Sequence, residues 1–282
     1  MPLAVVTSAH DFRRACQEAR VDGELALVPT MGYLHAGHQS LIKNAAQRAP
    51  AVAVTIFVNP SQFAPGEDLA RYPRDLPGDL HKCELAGATF VFAPTNDAEL
   101  YPPGFQTYVE PGPLAQPMEG EKRPGHFRGV CTVVAKLFAL SRADAAFFGE
   151  KDYQQLRVIQ QMALDLNFGT EVIGRPIVRE SDGLALSSRN AYLTREERMR
   201  ATALWKALDA ARKGFRGGEV EPARLEELAR ETLQQDGLRV DYAEVRGGVD
   251  LQRPPQADPT SRLFLAAFLG KTRLIDNGAL GE

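Results

Sequence analysis

The sequence predicts an α/β fold, a doubly wound parallel sheet followed by a smaller α+β domain. Three observations carry this. Short apolar or β-branched runs recur up to Val178 with helical spacing between them. Loops bearing Gly, His, Asn and Lys follow the carboxyl ends of three of these runs, where ligands bind in such sheets. Beyond Val178 the alternation stops, and helices precede strands. The expected domains are residues 1–176 and 177–282.

In chain order, Ser8 or Asp11 suits the N-cap of a helix running to about Arg20. Leu25–Val28 reads as a short buried strand and Gln39–Ala46 as the opening turns of a helix ending near Ala49-Pro50. Ala51–Val58 is strongly β-branched and reads as the next strand, completing a βαβ unit. It runs into a loop at Asn59–Phe63. Leu76–Leu85 looks helical and Ala88–Ala93 like a strand. Residues 94–125 are rich in Pro and Gly, a segment that fits either a lid or a connector, with Thr107–Val109 as a candidate short strand. Phe127–Leu140 has a core-facing helical pattern, Ala145–Phe148 reads as a strand, Tyr153–Leu166 as a helix and Thr170–Val178 as the fifth strand. In the second domain the pattern predicts helices at about Arg195–Phe215 and Glu221–Gln235, then strands at Val240–Val245 and Leu263–Leu269.

The bulk properties are those of an ordinary globular chain. It has 282 residues, 44% hydrophobic and 24% charged, and a net charge of -3. That charge gives no electrostatic reason to expect nucleic acid or an anionic membrane as partner. The N-terminal residues lack a basic region followed by a long apolar core, and the longest aliphatic run is too short to span a bilayer. The three cysteines are far apart and form neither a disulfide framework nor a zinc pattern. A cytoplasmic protein is expected.

The stretch around which the chain is organised is Pro29-Thr30-Met31-Gly32-Tyr33-Leu34-His35-Ala36-Gly37-His38. A strand, a glycine-bearing turn and a helix start make an anion site, because the first helical N–H groups lack partners and the helix dipole adds positive charge there. Gly32 and Gly37 allow close approach of a phosphate, and the two histidines stand three apart as donors to the same anion. Metal ligation would need further ligands that are absent nearby, and an inert turn would explain the glycines but not both histidines.

Lys151, just beyond a strand, offers a compact positive charge for triphosphate oxygens, or is an ordinary surface lysine. Asp152 suits a ribose hydroxyl, a water-held metal ion or a helix N-cap. Ser187, Ser188 and Arg189 supply hydroxyls and a guanidinium fork for phosphate or carboxylate. Gln62 and Gln155 both donate and accept, which suits a hydroxylated carboxylic acid. No covalent nucleophile is suggested, so catalysis would rest on positioning and charge stabilisation.

Taken together these stretches resemble the pantothenate synthetase (pantoate–β-alanine ligase) family within the nucleotidyltransferase superfamily. The resemblance is carried in order by Pro29–His38, Ile56–Phe63, Leu69–Arg74, Glu119-Gly120, Arg123–Val130, Phe148–Leu156, Asp182–Asn190 and Thr272–Asn277. It implies a Rossmann-like first domain, a mobile C-terminal lid domain and a homodimer. It implies that Mg²⁺ and ATP are used, and that pantoate attacks the α-phosphorus to give pantoyl adenylate and pyrophosphate. β-Alanine then displaces AMP. By the same resemblance Met31, Gly32, Tyr33, Leu34, Ala36 and Gly37 line the nucleotide. His35 and His38 contact its phosphates, with His38 as proton donor. Lys151, Ser187, Ser188 and Arg189 stabilise the transition state. Gly149, Glu150 and Asp152 lie at the nucleotide, with Gly149 and Asp152 on the ribose, and Leu186 and Val178 complete its pocket, Val178 through its backbone. Gln62 and Gln155 bind pantoate, and Gln62 also lies near β-alanine. No metal-coordinating residue is assigned. Two departures, the absence of a proline before Asp144 and Arg175 before Pro176, touch no motif position. Two rival readings are another nucleotidyltransferase that keeps the nucleotide on its product, and a non-catalytic nucleotide-binding module.

Overall fold

A computed structural model describes residues 3–282 and divides into two compact units. The first unit runs to Glu150 and resumes over Gln154–Pro176. The second comprises Ile177–Glu282 together with Lys151–Tyr153, three residues that the chain lends to it from the middle of the first.

The first unit opens with β1 (Ala4–Val6), α1 (Ala9–Ala19), β2 (Leu25–Thr30), α2 (Ala36–Arg48), β3 (Ala51–Ile56), α3 (Leu76–Ala86) and β4 (Phe90–Phe92). It continues with α4 (Glu119–Lys122), α5 (His126–Ser141), β5 (Ala145–Gly149), α6 (Tyr153–Asp165) and β6 (Glu171–Arg175). Its sheet has six strands in the order β1-β4-β3-β2-β5-β6, and every pairing is parallel. The sixth strand, β1, is not anticipated by the sequence pattern. It is only three residues long and its register with β4 is set by Ala4, Val5 and Val6 alone.

The chain winds outward in one direction from β2 through β3 and β4, then returns to place β5 on the other side of β2. The strand order therefore reverses between β2 and β5. The loops after β3, β2 and β5 leave the same edge side by side, which is where a doubly wound sheet binds its ligand. The core between sheet and helices includes Ala26, Val28, Ile42, Val52, Val54, Val91, Ala145 and Phe147, all essentially inaccessible. Burial on both faces explains the near-continuous apolar strands.

Several boundaries differ from expectation for physical reasons. β2 continues through Pro29 and Thr30. β5 pairs with β2 only at Ala26 and Leu27, so a proline without an N–H is tolerated beyond them. α2 begins at Ala36, so Gly37 and His38 lie in its first turn rather than ahead of it. Thr107–Val109 forms no strand, and the Val109 amide instead donates to Thr132 Oγ1 at 3.0 Å.

The second unit holds α7 (Arg195–Arg200), α8 (Ala203–Arg216), α9 (Pro222–Gln235), β7 (Arg239–Arg246), β8 (Arg262–Leu269) and β9 (Thr272–Ala279). Its three strands form one antiparallel sheet, β7-β8-β9. The single helix predicted over Arg195–Phe215 is broken at Ala201-Thr202. There the Thr202 hydroxyl donates back to the Met199 carbonyl at 2.8 Å, competing with the helical ladder. Leu204, Leu208, Leu225, Leu233, Leu263 and Leu265 form its core. No helix among the described residues is long and apolar enough to cross a membrane. Cys16, Cys83 and Cys131 are buried free thiols, and burial pushes each up to about 12.

Candidate active site

The β2–α2 loop is held in a conformation that L-residues rarely adopt. Gly32 has φ 84° and Tyr33 φ 52°. A Cβ on Gly32 would also stand 3.1 Å from both Asp79 Oδ2 and Ile56, so a side chain there would meet a tight contact as well as an unfavourable φ. Asp79, projecting from α3, accepts the Tyr33 N–H at 2.7 Å and the Leu34 N–H at 2.6 Å. Its side chain is 2% exposed, and burial pushes its carboxyl above the usual range although both amides oppose this.

That loop delivers the two histidines in a fixed form. His35 is the N-cap of α2 and its Nδ1 accepts the Gly37 N–H at 3.1 Å. His38 Nδ1 accepts the His35 N–H at 3.3 Å, and the rings lie 4.1 Å apart. A backbone N–H can only donate, so each Nδ1 is an acceptor and each ring carries its proton on Nε2. The sequence pattern predicts bare helix N–H groups facing an anion. Instead the Gly37 N–H is taken up by His35 Nδ1, and the donor that each ring retains is its Nε2–H.

Gln62 sits on the turn after β3 and is 9% exposed. Asn59 fixes its orientation. The Asn59 Oδ1 accepts from Ser61 N, Ser61 Oγ and Tyr101 Oη at 3.3, 2.8 and 2.8 Å, so its Nδ2 must face Gln62 and donate to Oε1 at 2.9 Å. Gln62 is left to present its amide N–H₂, which lies 3.1 Å from Met31 Sδ. The Gln62 backbone is held as well. His126 Nδ1 lies 2.9 Å from its carbonyl, and Arg123 Nη1 lies 3.1 Å from His126 Nε2. Arginine cannot accept, so His126 Nε2 is the acceptor and Nδ1–H the donor to Gln62. Arg123 in turn makes a paired contact to Glu67 at 2.8 Å through Nε and Nη2. Burial, with Arg123 adding to it, pushes His126 down to about 4. Burial opposes the Glu67 charge, but Arg123 overrides it and holds that carboxyl below its ordinary range.

Gly149 ends β5, and Glu150 opens the short turn Glu150–Asp152. Asp152 is the last residue of that turn and directly precedes α6, which begins at Tyr153. Gln155 is half-buried in the first turn of α6, next to the buried Gln154, which holds the Glu119 amide and the Leu114 and Pro117 carbonyls.

In the second unit Lys151 Nζ lies 3.9 Å from Asp152 Oδ1, with the two side chains 20% and 49% exposed. Val178 and Leu186 are tied together by the Leu186 N–H donating to the Val178 carbonyl at 3.0 Å. Ser187 caps the turn Ser188–Tyr192 by accepting the Arg189 N–H at 3.2 Å, and Ser188 is buried. This unit therefore supplies a lysine, two hydroxyls and a guanidinium on short, hydrogen-bonded segments. Among the described residues no cluster of three or more His, Cys, Asp or Glu side chains is arranged to hold a metal ion.

A family model described as pantoate-beta-alanine ligase matches residues 4–279. The chain belongs to that family, and it is a ligase. Within the pantoate-beta-alanine ligase family it is 52% identical to the pantothenate synthetase of Myxococcus xanthus, covering 100% of this chain and 97% of that protein. It is 53% identical to the one from Anaeromyxobacter dehalogenans, covering 98% of each. The crystal structure of the Thermus thermophilus pantothenate synthetase matches with a TM-score of 0.94 at 43% identity, over 99% of this chain and 100% of that one. The Francisella tularensis ligase, solved with beta-gamma ATP and beta-alanine, matches with a TM-score of 0.84 at 33% identity, over 99% and 98% of the two chains.

The sequence pattern does not mark Asp79, Asn59, Glu67, Arg123 or His126 as site residues. Asn59, Arg123 and His126 lie inside stretches that carry the family resemblance, which is a usable signal. Asp79 has none, since it reaches the loop from a helix 45 residues away.

Proposed function

We propose that this ligase condenses pantoate with β-alanine in two steps. A pantoate carboxylate oxygen attacks the α-phosphorus of Mg-ATP, the bond to the bridging oxygen breaks and pyrophosphate leaves. The β-alanine amine then attacks the acyl carbon, the C–O bond to AMP breaks and the amine sheds a proton. Mg²⁺ enters as part of the ATP substrate.

The observation that carries this reading is the locked histidine pair at the strand-order reversal. Two imidazoles with Nε2–H donors are suited to triphosphate oxygens without the cost of reorienting during reaction. His38 donates its Nε2–H in a hydrogen bond to a phosphate oxygen, and His35 shares the phosphate contact. Met31, Gly32, Tyr33, Leu34, Ala36, Gly37, Gly149 and Glu150 line the nucleotide, and Lys151, Asp152, Val178, Leu186, Ser187, Ser188 and Arg189 serve it as well. Gln62 donates from its side-chain N–H₂ to a pantoate oxygen, and Gln155 is its companion. The enzyme works as a homodimer in the cytoplasm, a compartment that suits three buried free thiols.

The test is pyrophosphate exchange into ATP with Mg²⁺ and no amine. Exchange that requires pantoate is the expected result. No exchange by folded protein that binds ATP would overturn the adenylate reading.

A further inference from the structure

Lysine is a point charge on a four-carbon stem, so its usefulness against a triphosphate depends on how firmly its backbone is held. The chain brings Lys151 out of the first unit on a segment of only three residues, and both ends of that segment are fastened to the second unit. At one end the Lys151 carbonyl accepts from Asn277 Nδ2 at 2.8 Å. At the other, the Tyr153 hydroxyl donates to the Gly248 carbonyl at 2.9 Å, and its ring lies 3.9 Å beneath the Arg262 guanidinium.

The Asn277 contact is built to be unambiguous. Arg262 Nη1 donates to the other amide atom of Asn277 at 2.5 Å. A guanidinium has no acceptor, so that atom is Oδ1 and Nδ2 must turn to Lys151. Asn277 and Asp276 are 2% exposed and Arg262 8%. Asp276 accepts the Asn277 N–H at 2.8 Å and is itself gripped by Arg179 at 2.6 and 2.8 Å. The register places Asn277 on β9 opposite Phe264, two residues along β8 from Arg262. A buried network of this kind is rigid when fully satisfied, and its terminal contact is the lysine's own peptide.

We infer that Asn277, oriented by Arg262, is a positioning residue for Lys151 in the adenylation step. This rests on the reading of Lys151 as the triphosphate lysine. Asn277→Asp keeps the shape and the partner for Arg262 but turns an oxygen on the Lys151 carbonyl. The experiment is a double-mutant cycle on pantoate-dependent pyrophosphate exchange, with Lys151→Ala, Asn277→Asp and both together. Lys151→Ala should lower the exchange rate about a hundredfold. Asn277→Asp should lower kcat about tenfold while KM for pantoate stays within about twofold, and it should add almost nothing in the Lys151→Ala background.

An equal loss in both backgrounds, or no loss from Asn277→Asp, would overturn the positioning role and leave the reading of Lys151 standing. A near-normal Lys151→Ala enzyme would overturn that reading and the inference with it. If Asn277→Asp does not fold, Asn277→Ala, which adds no buried charge, carries the same cycle.

Discussion

Asp79 shows how one buried carboxylate can set the geometry of a loop that contains no acid of its own. Its two short bonds to consecutive amides hold Tyr33 at positive φ, and that turn delivers His35 to the start of α2. Asp79→Asn offers one acceptor where two are needed and turns an N–H₂ on a backbone N–H. It should cost about 1–3 kcal/mol of stability in denaturant melts and lower pantoate-dependent exchange more than tenfold. His126 carries a pH signature. Its ordinary value is 6.5 and the fold lowers it to about 4, so the unfolded chain binds the extra proton between these values. Its contribution is full above about pH 6.5, is lost as pH falls towards 4, and reaches about 3 kcal/mol at most. Stability measured over pH 4–7 should rise with pH, and His126→Gln should flatten that slope. These contacts were illegible from sequence because they join residues far apart in the chain, whereas the histidine pair was visible as local spacing. Its capping geometry was not, since histidine is not among the preferred N-caps.

Among the elements, α5 packs hardest against the turn that bears Gln62. A Cβ at Gly129 would stand 2.2 Å from the Ser61 carbonyl oxygen and 2.6 Å from the Gln62 amide nitrogen. Neither atom belongs to a flexible side chain, so Gly129→Ala has to push the turn away from the helix. The expected result is a KM for pantoate raised severalfold, with kcat less affected, and a loss of about 1–3 kcal/mol in stability. Steady-state kinetics and thermal melting check both. Most elements were legible because parallel strands buried on both faces announce themselves as apolar runs, as Ala51–Ile56 does. β1 escaped notice because three residues carry no period, and the break between α7 and α8 because the apolar spacing runs straight through a hydroxyl that bonds its own helix.

At the scale of the whole molecule, the proposed homodimer should have twice the chain mass of 30.9 kDa, about 62 kDa by light scattering. The change in character after Val178 was legible in the order of helices and strands. The loan of Lys151–Tyr153 to the second unit was not, because nothing in a three-residue segment shows which unit its partners belong to. That loan has a consequence in time. Lys151 leaves the ribosome 126 residues ahead of the asparagine that seats it. At about 5–20 residues per second the interval is roughly 6–25 s. Throughout it the nascent chain has its histidine loop but no anchored lysine. By this account β9 arms the enzyme, and a partly synthesised chain is slow to activate any pantoate that reaches it.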